Sequence, residues 1–243
     1  MMQINKVLIT NDDGYNSIGI KLLSEILKKF ANEIYIVAPK NNMSGSSRAI
    51  SLKENIQFKK INSKSWIIEG TPTDCIIFAL NYIFKKDKPD FIFSGINSGT
   101  NIGDEISYSG TVGAAFEGAL RGIRSIAISQ KISNTDNNFI ISKINLPKIL
   151  PQVFKYFSNK NLLLNLNFPN CKQENLRGLK IVNCSHQKSS DEIIVDENQS
   201  TFKIGKMNIL NNHYVDDLNS LKNNYITLSP ILTNLTNKNF IDH

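Results

Sequence analysis

Short apolar runs and helix-spaced apolar positions take turns along the first half of the chain. KVLIT (6–10) has the continuous apolar character of a buried strand, and Ile20, Leu23, Ile26, Leu27 and Phe30 then recur at the three- and four-residue steps of one helix face. IYIVA (34–38) is a second strand, ending at Pro39, and TDCIIFALNYIF (73–84) a second helix, with Thr71 or Thr73 as its cap beside Pro72. FIFSG (91–95), SGTVGAAFEGALRG (109–122) and SIAIS (125–129) continue as strand, helix and strand. Alternation of this kind predicts an α/β domain built on a parallel sheet.

The pattern changes after about residue 130. NTDNNFIISKINLPKILPQVFKYF reads as one more helix, interrupted by Pro147 and Pro151, and LLLNLNF (162–168) as one more strand. From Pro169 to about Ser229 the chain is richer in Asn, Lys and Ser and carries period-two runs, LKIVN, DEIIV and TFKIG. These predict hairpin strands in an extension that packs on another subunit.

Composition narrows the function classes. With 243 residues, 41% of them hydrophobic and 20% charged, the chain suffices for one sizeable core. Its first residues, MMQINKVLITNDDGY, lack the apolar core of a signal peptide, and no window approaches the roughly 18 apolar residues of a membrane span. A cytoplasmic location without membrane attachment is expected. Cys75, Cys171 and Cys184 are scattered, with no CxxC spacing or histidine pair, which argues against a disulfide framework or a zinc knuckle. The net charge of +7 comes from lysines spread through several segments, so it reads as solvated surface with a bias toward anionic ligands rather than as a nucleic-acid stripe.

Four polar loops follow predicted strands: NDDGYNSIG, PKNNMSGSSRAIS, INSGTNIGDEISYSGT and QKISNTDN. In an open parallel sheet they converge at the carboxyl edge, where ligands bind. Asp12 and Asp13 repel each other unless a cation lies beside them, and carboxylates among amide and hydroxyl oxygens suit Mg(II), Mn(II) or Ca(II) rather than zinc. Taken alone, NDDG serves equally well as a helix cap plus a solvated acid. A strand followed by DxDG presents the aspartyl nucleophile of haloacid-dehalogenase-like phosphatases, but Asn11 occupies that first position and cannot form an acyl phosphate. A phosphatase built on this loop needs water as its nucleophile.

In the second loop, Ser44, Gly45, Ser46 and Ser47 offer hydroxyls and backbone N–H groups, and Arg48 can meet a phosphate; SGSS in isolation is as readily a linker. In the third, Asn97 follows a buried strand and Ser109-Gly110-Thr111 stands where a helix begins, an arrangement that holds an anion or serves close packing.

With these loops assembled, the chain resembles the SurE family of stationary-phase survival proteins, metal-dependent 5'/3'-nucleotidases. LITNDDGYNSIGI, VAPKNNMSGSSRAIS, GTPTDC, FIFSGINSGTNIGDEISYSGTVGAAFEGA and NNYITLSPILTNLT carry the resemblance, in family order and over most of the chain. It implies a Rossmann-like, mostly parallel sheet flanked by helices, with a catalytic core over 1–168 and a C-terminal extension over 169–243. That extension holds a β-hairpin used for oligomerisation before it returns to the core. Carried over, the family's ligands for one divalent metal ion fall on Asp12, Asp13, Ser44 and Asn97, and its phosphate-contacting segment on Ser109, Gly110 and Thr111, with Asn101 lining the same loop. Asp12 is the candidate to orient or deprotonate the attacking water and Asp13 primarily a ligand, with those two roles exchangeable.

The implied activity is hydrolysis of nucleoside 5'- and, as a further option, 3'-monophosphates by a homodimer or homotetramer, with no stable nucleic-acid partner. The chain departs from the family at Tyr108, where a histidine is common, and at Ser47-Arg48. No histidine role passes to His186, His213 or His243, which read as surface or tail. The competing readings are a non-catalytic nucleotide-binding or RNA-binding module and, more weakly, a dinucleotide-dependent oxidoreductase, which the lack of GxGxxG after the first strand disfavours.

Overall fold

The computed structural model describes residues 4–133, 139–157, 162–186, 188–209 and 215–236. The predicted alternation is present. In chain order the regular elements are β1 (Ile4–Thr10), α1 (Ile18–Leu27), β2 (Ala31–Pro39), β3 (Phe58–Asn62), β4 (Ser65–Ile68), α2 (Pro72–Phe78), β5 (Phe91–Ser98), α3 (Gly110–Leu120) and β6 (Arg124–Gln130). They continue through α4 (Ile140–Val153), β7 (Leu162–Phe168), β8 (Leu179–Ile181), β9 (Lys188–Asp196), β10 (Thr201–Ile209), α5 (Asp217–Lys222) and β11 (Ile226–Leu232).

Nine strands form one sheet in the order β3-β4-β2-β1-β5-β6-β7-β11-β8. From β4 to β7 all neighbours run parallel; β3 pairs antiparallel with β4, and β11 antiparallel with β7 and parallel with β8. The sheet is buried on both faces, so its central strands are apolar at consecutive positions while the two faces still alternate. Val7 and Ile9, Phe91 and Phe93, Ile126 and Ile128, and Leu164 and Leu166 pack with α1 and α4. Leu8 and Ile92 pack with α2 and Ala114 of α3, and Ala127 and Leu163 pack with Val112, Ala115 and Ala119 of α3. The small residues of α3 let it lie close to the sheet: a Cβ on Gly118 would come within 2.6 Å of Ser125 Oγ.

Several local expectations are modified. Thr71, not Thr73, caps α2, in a capping box with Asp74 (Asp74 N–H to Thr71 Oγ1, 3.1 Å; Thr71 N–H to Asp74 Oδ2, 2.9 Å). The helix gives way after Phe78 to a π-helical turn over Ala79–Ile83. α4 runs unbroken through Pro147 and Pro151 instead of being interrupted. An interior proline costs about 3 kcal/mol, but these two are four apart on the side away from the core, and Ile141, Leu146, Leu150 and Val153 are buried on the other. The first part of that stretch, 134–138, lies outside the described residues.

β3 and β4 are not legible in the sequence, because FKKIN is exposed at every position and SWII is short. LKIVN supplies β8 of the main sheet and not a hairpin strand, since its partner is β11. DEIIV and TFKIG do form a hairpin, β9 with β10, as a separate two-stranded sheet.

The segment after β7 is anchored to the third loop by Asp217, which is fully buried. Its carboxylate accepts from the N–H groups of Gly103 (2.8 Å), Ser185 (2.9 Å) and Leu218 (2.8 Å). Replacing Asp217 by Ala is expected to cost about 2–4 kcal/mol, the cost of leaving buried N–H donors unpaired. The midpoint of urea unfolding measures this; a midpoint equal to that of the wild type would contradict it.

Candidate metal and phosphate site

The strand order reverses at β1: β2 lies on one side of it and β5 on the other. The loops after β1 and β5 therefore meet over the crevice at the carboxyl edge, with the loop after β2 alongside. Specific bonds close the three together. Met43 N–H donates to Asp12 O (2.7 Å) and Tyr15 N–H to Pro39 O (2.8 Å), joining the first loop to the second. Ser47 N–H donates to Tyr108 O (2.9 Å) and Ser47 Oγ to Ser107 O (2.7 Å), joining the second to the third. The GTPTDC segment holds the far end of the second loop. Asp74 accepts from Ser51 N–H (3.0 Å) and Ser51 Oγ (2.8 Å), and Thr71 Oγ1 donates to Ala49 O (2.7 Å).

Asp12 sits at the bottom of this junction, 4% exposed. The Thr111 hydroxyl donates to its Oδ1. Burial pushes the Asp12 carboxyl up to about 6, with the Thr111 hydrogen bond opposing and the Asp13 charge adding to the rise. Asp13 is less buried, its carboxyl is also raised by desolvation, and its Oδ2 accepts from Ser98 N–H at 3.1 Å. Asn11 is fully buried and spent on the turn: its Nδ2 donates to Gly14 O (3.0 Å) and Ser17 Oγ (2.8 Å).

Ser109 caps α3, its hydroxyl accepting from Val112 N–H at 3.1 Å. Gly110 lies directly over the acid: a Cβ there would stand 2.6 Å from Ser46 Oγ, 3.0 Å from Asp12 Cβ and 3.2 Å from Asp12 Oδ2. Asp12 thus meets both Gly110 and Thr111, and Ser46 meets Gly110. Ser46 was not singled out from the sequence, where nothing separates it from its neighbours in SGSS. Its hydroxyl is buried and has no hydrogen-bond partner among the described residues.

These observations test whether the donors fit a divalent cation. A buried hydroxyl without a partner among the described residues, near a desolvated carboxylate, gives two oxygen donors that suit a cation. Asn97 Nδ2 donates to Gly99 O (3.2 Å), which leaves its carbonyl oxygen as the ligating end. The exposed Ser44 donates its hydroxyl to Asn42 Oδ1 (2.6 Å) and keeps its lone pairs. Among the described residues no group of three or more His, Cys, Asp or Glu could hold a metal. The donors here are two carboxylates and neutral oxygens, a set that fits a hard ion.

Asn101 and Arg48 are placed differently. Asn101 is buried beneath the loop; its N–H donates to Asn167 Oδ1 (2.9 Å), its Nδ2 to Ser129 Oγ (2.7 Å), and its carbonyl accepts from Asn165 and Asn167. Arg48 is exposed, with its guanidinium 4.5 Å from the centre of the Phe116 ring. Tyr108 is also exposed, and Lys188 donates to its hydroxyl at 3.1 Å. His186 lies at the surface, Nδ1 3.5 Å from Asp104 Oδ1, while His213 and His243 fall outside the described residues.

A family model described as survival protein SurE matches residues 7–191. The chain belongs to the SurE family. The 5'-nucleotidase SurE of Wolbachia pipientis wMel is 38% identical over 234 residues, covering 95% of this chain and 91% of that one. The 5'/3'-nucleotidase SurE of Wigglesworthia glossinidia brevipalpis is 38% identical over 245 residues, covering 97% and 94%. Among solved structures, the SurE protein from Aquifex aeolicus superposes with a TM-score of 0.84 at 30% identity, over 97% of this chain and 96% of that one. Membership of the SurE family brings with it dependence on a divalent metal.

The raised Asp12 carboxyl gives this dependence a pH signature. An acid whose pKa rises on folding favours the folded state when neutral. The penalty for its ionisation is absent below its ordinary 3.8, grows through the window up to about 6, and is complete above it. A bound cation removes that penalty, so the rise in Tm on adding Mn(II) or Mg(II) is expected to be larger at about pH 8 than at about pH 5. Thermal scans with each ion and with chelator at both pH values measure it; equal shifts would contradict the assignment of Asp12 as a ligand.

Proposed function

We propose that the chain is a metal-dependent phosphomonoesterase that hydrolyses nucleoside 5'-monophosphates, and 3'-monophosphates as a second class, to nucleoside and inorganic phosphate. The observation that carries the reading is the convergence of Asp12, Ser46, Gly110 and Thr111 at the N-terminus of α3, with the neighbouring Asp13 bonded to the backbone of Ser98, next to Asn97. The names of the relatives, 5'-nucleotidase and 5'/3'-nucleotidase SurE, supply the substrate class.

Asp12, Asp13, Ser44 and Asn97 hold one divalent ion, Mg(II) or Mn(II), with Ca(II) a fitting substitute. When bound, the ion supplies Lewis acidity that withdraws charge from the phosphoryl oxygens and eases deprotonation of water. Ser109 through its hydroxyl, and Gly110 and Thr111 through the free N–H groups of the first turn of α3, hold the equatorial oxygens, while the Thr111 hydroxyl stays on Asp12. Arg48, on the exposed rim, adds positive charge to the approach, and Asn101 fixes the loop from below. Asp12 takes the proton as water attacks in line. Asp13 is primarily a ligand. The new oxygen–phosphorus bond forms as the ester P–O bond breaks, the leaving nucleoside oxygen takes a proton from solvent, and Asp12 returns its own to solvent.

Residues 1–168 form the catalytic core and 169–243 the extension. The β9–β10 hairpin in that extension exposes Ile193, Ile194, Val195, Phe202 and Ile204, an apolar surface that suits a homodimer or homotetramer. No helix among the described residues is long and apolar enough to cross a membrane, and a cytoplasmic enzyme without a stable nucleic-acid partner fits the reading.

Phosphate release from a panel of nucleoside monophosphates, with Mg(II), with Mn(II) and with chelator, tests the function. Release that requires a metal is expected; no release with either ion would overturn it and favour a non-catalytic binding module.

A further inference from the structure

The carboxyl end of β7 breaks the apolar pattern of its strand. Leu163 packs against α3, and two and four residues later, on the same face of the sheet, stand Asn165 and Asn167, both buried. Ser129 of β6 and Thr227 of β11 flank Asn167 in the register, so a row of polar side chains crosses three strands where a sheet covered on both faces normally carries Val, Ile or Leu. Stability does not account for the two amides. Asn165 Oδ1 has no hydrogen-bond partner among the described residues, and a buried carboxamide left half-satisfied is destabilising.

Both amides are spent on one residue of the third loop. Asn167 holds the backbone of Asn101 at two points, its Oδ1 accepting from Asn101 N–H (2.9 Å) and its Nδ2 donating to Asn101 O (3.0 Å). Asn165 Nδ2 is a second donor to the same carbonyl, at 2.7 Å. The Asn101 side chain is tied to the next strand, Nδ2 donating to Ser129 Oγ at 2.7 Å. Asn101 stands between Asn97, assigned above to the metal, and Ser109, assigned to the phosphate. Its backbone therefore fixes where the connection between those two groups runs.

We infer that Asn165 and Asn167 are positioning residues for the hydrolysis: by clamping the backbone of Asn101 they set the separation of Asn97 from Ser109, and so of the metal from the phosphate-holding turn. The inference rests on the nucleotidase reading above and goes beyond it, because neither asparagine belongs to the three loops that meet at the sheet edge. Both act through Asn101 and neither touches substrate. Preorganised geometry of this kind is realised in the transition state more than in binding, so its loss falls on kcat before KM.

Asn165→Val separates positioning from stability. Valine suits a strand, and Asn101 O keeps its bond from Asn167, so no backbone group loses its last partner. The Tm without ligand is expected to stay within about 3 °C of the wild type. The kcat for AMP with Mn(II) is expected to fall about tenfold, the scale of a loop displaced by a fraction of an ångström, with KM little altered. The dissociation constant for Mn(II), read from the EPR signal of the free ion, is expected to rise, since Asn97 lies at one end of the released stretch. Asn167→Ala removes both of its bonds and is expected to lower kcat further, and Tm with it, because Asn101 N–H is then unpaired. A lower kcat or a weaker Mn(II) affinity in Asn165→Val, at unaltered Tm, supports the clamp. Wild-type values of both per folded molecule in the two variants overturn it. So does a loss of activity in Asn165→Val that accompanies a large fall in Tm, which assigns the asparagine to stability alone. Failure of the wild type to hydrolyse AMP with either Mn(II) or Mg(II) overturns the nucleotidase reading itself, a distinct outcome, and the Mn(II) affinities then still decide whether the clamp sets the metal end.

Discussion

Replacing Asp13 by Asn is expected to abolish the thermal shift produced by Mn(II) or Mg(II) and to lower metal-dependent phosphate release by about two to three orders of magnitude, the scale of removing one charge-stabilising group from a preorganised site. The substitution is nearly isosteric. An Asn at this position still offers an oxygen to Ser98 N–H, which Asp13 Oδ2 now engages at 3.1 Å, so the junction of the first and third loops survives. What disappears is a negative charge. Phosphate release and metal titrations on the folded variant measure the effect, and turnover near that of the wild type would remove Asp13 from the site.

Gly110→Ala probes the same site from the helix side. Ala is a better helix former than Gly, so propensity alone predicts a small gain in stability. The added methyl, however, would lie 3.0 Å from Asp12 Cβ and 2.6 Å from Ser46 Oγ. The serine can rotate away; Asp12 Cβ, buried in the turn that follows a central strand, cannot. The first turn of α3 must move by a few tenths of an ångström, and misplacement of catalytic groups on the ångström scale costs about 100-fold in rate. A fall in kcat of about 10- to 100-fold, with Tm close to that of the wild type, is therefore expected. Thermal scans and initial rates on the same preparation separate the two quantities. Full activity would mean that the phosphate turn does not press on Asp12.

Much of the site is legible along the chain because its donors are adjacent in sequence. Asp12 and Asp13 share one turn after β1, and Ser109, Gly110 and Thr111 share the start of α3. Asn11 in place of a nucleophilic acid is likewise a local fact. Ser46 is not legible: four small residues in a row look alike until the fold buries one hydroxyl against Gly110 and leaves it without a partner. The sequence offers Thr71 or Thr73 as the cap of α2, and only the structure adds that Asp74 closes a capping box there and holds Ser51 at the end of the second loop. Arg48, expected from its loop to meet phosphate, lies over Phe116, a ring placed 68 positions later in the sequence.

The same division holds for the fold. The sequence by itself determined the sheet-and-helix alternation of the core, because strands buried on both faces and helices buried on one leave distinct apolar periods in consecutive residues. It also determined the oxygen-only character of the site, since that is a matter of residue type. Only the tertiary structure decided the strands whose local signal is weak: β3 and β4 extend one edge of the sheet, and β11 inserts between β7 and β8 at the other. It alone decided that Asp217 holds Gly103, across 114 positions, and that the end of β11, with Leu235 beyond it, walls a cavity beside Ser109. The reason is physical. Periodicity records which face of an element is buried, but not which distant element buries it, and the side chains that join loops are chosen by contacts that exist only once the sheet has assembled.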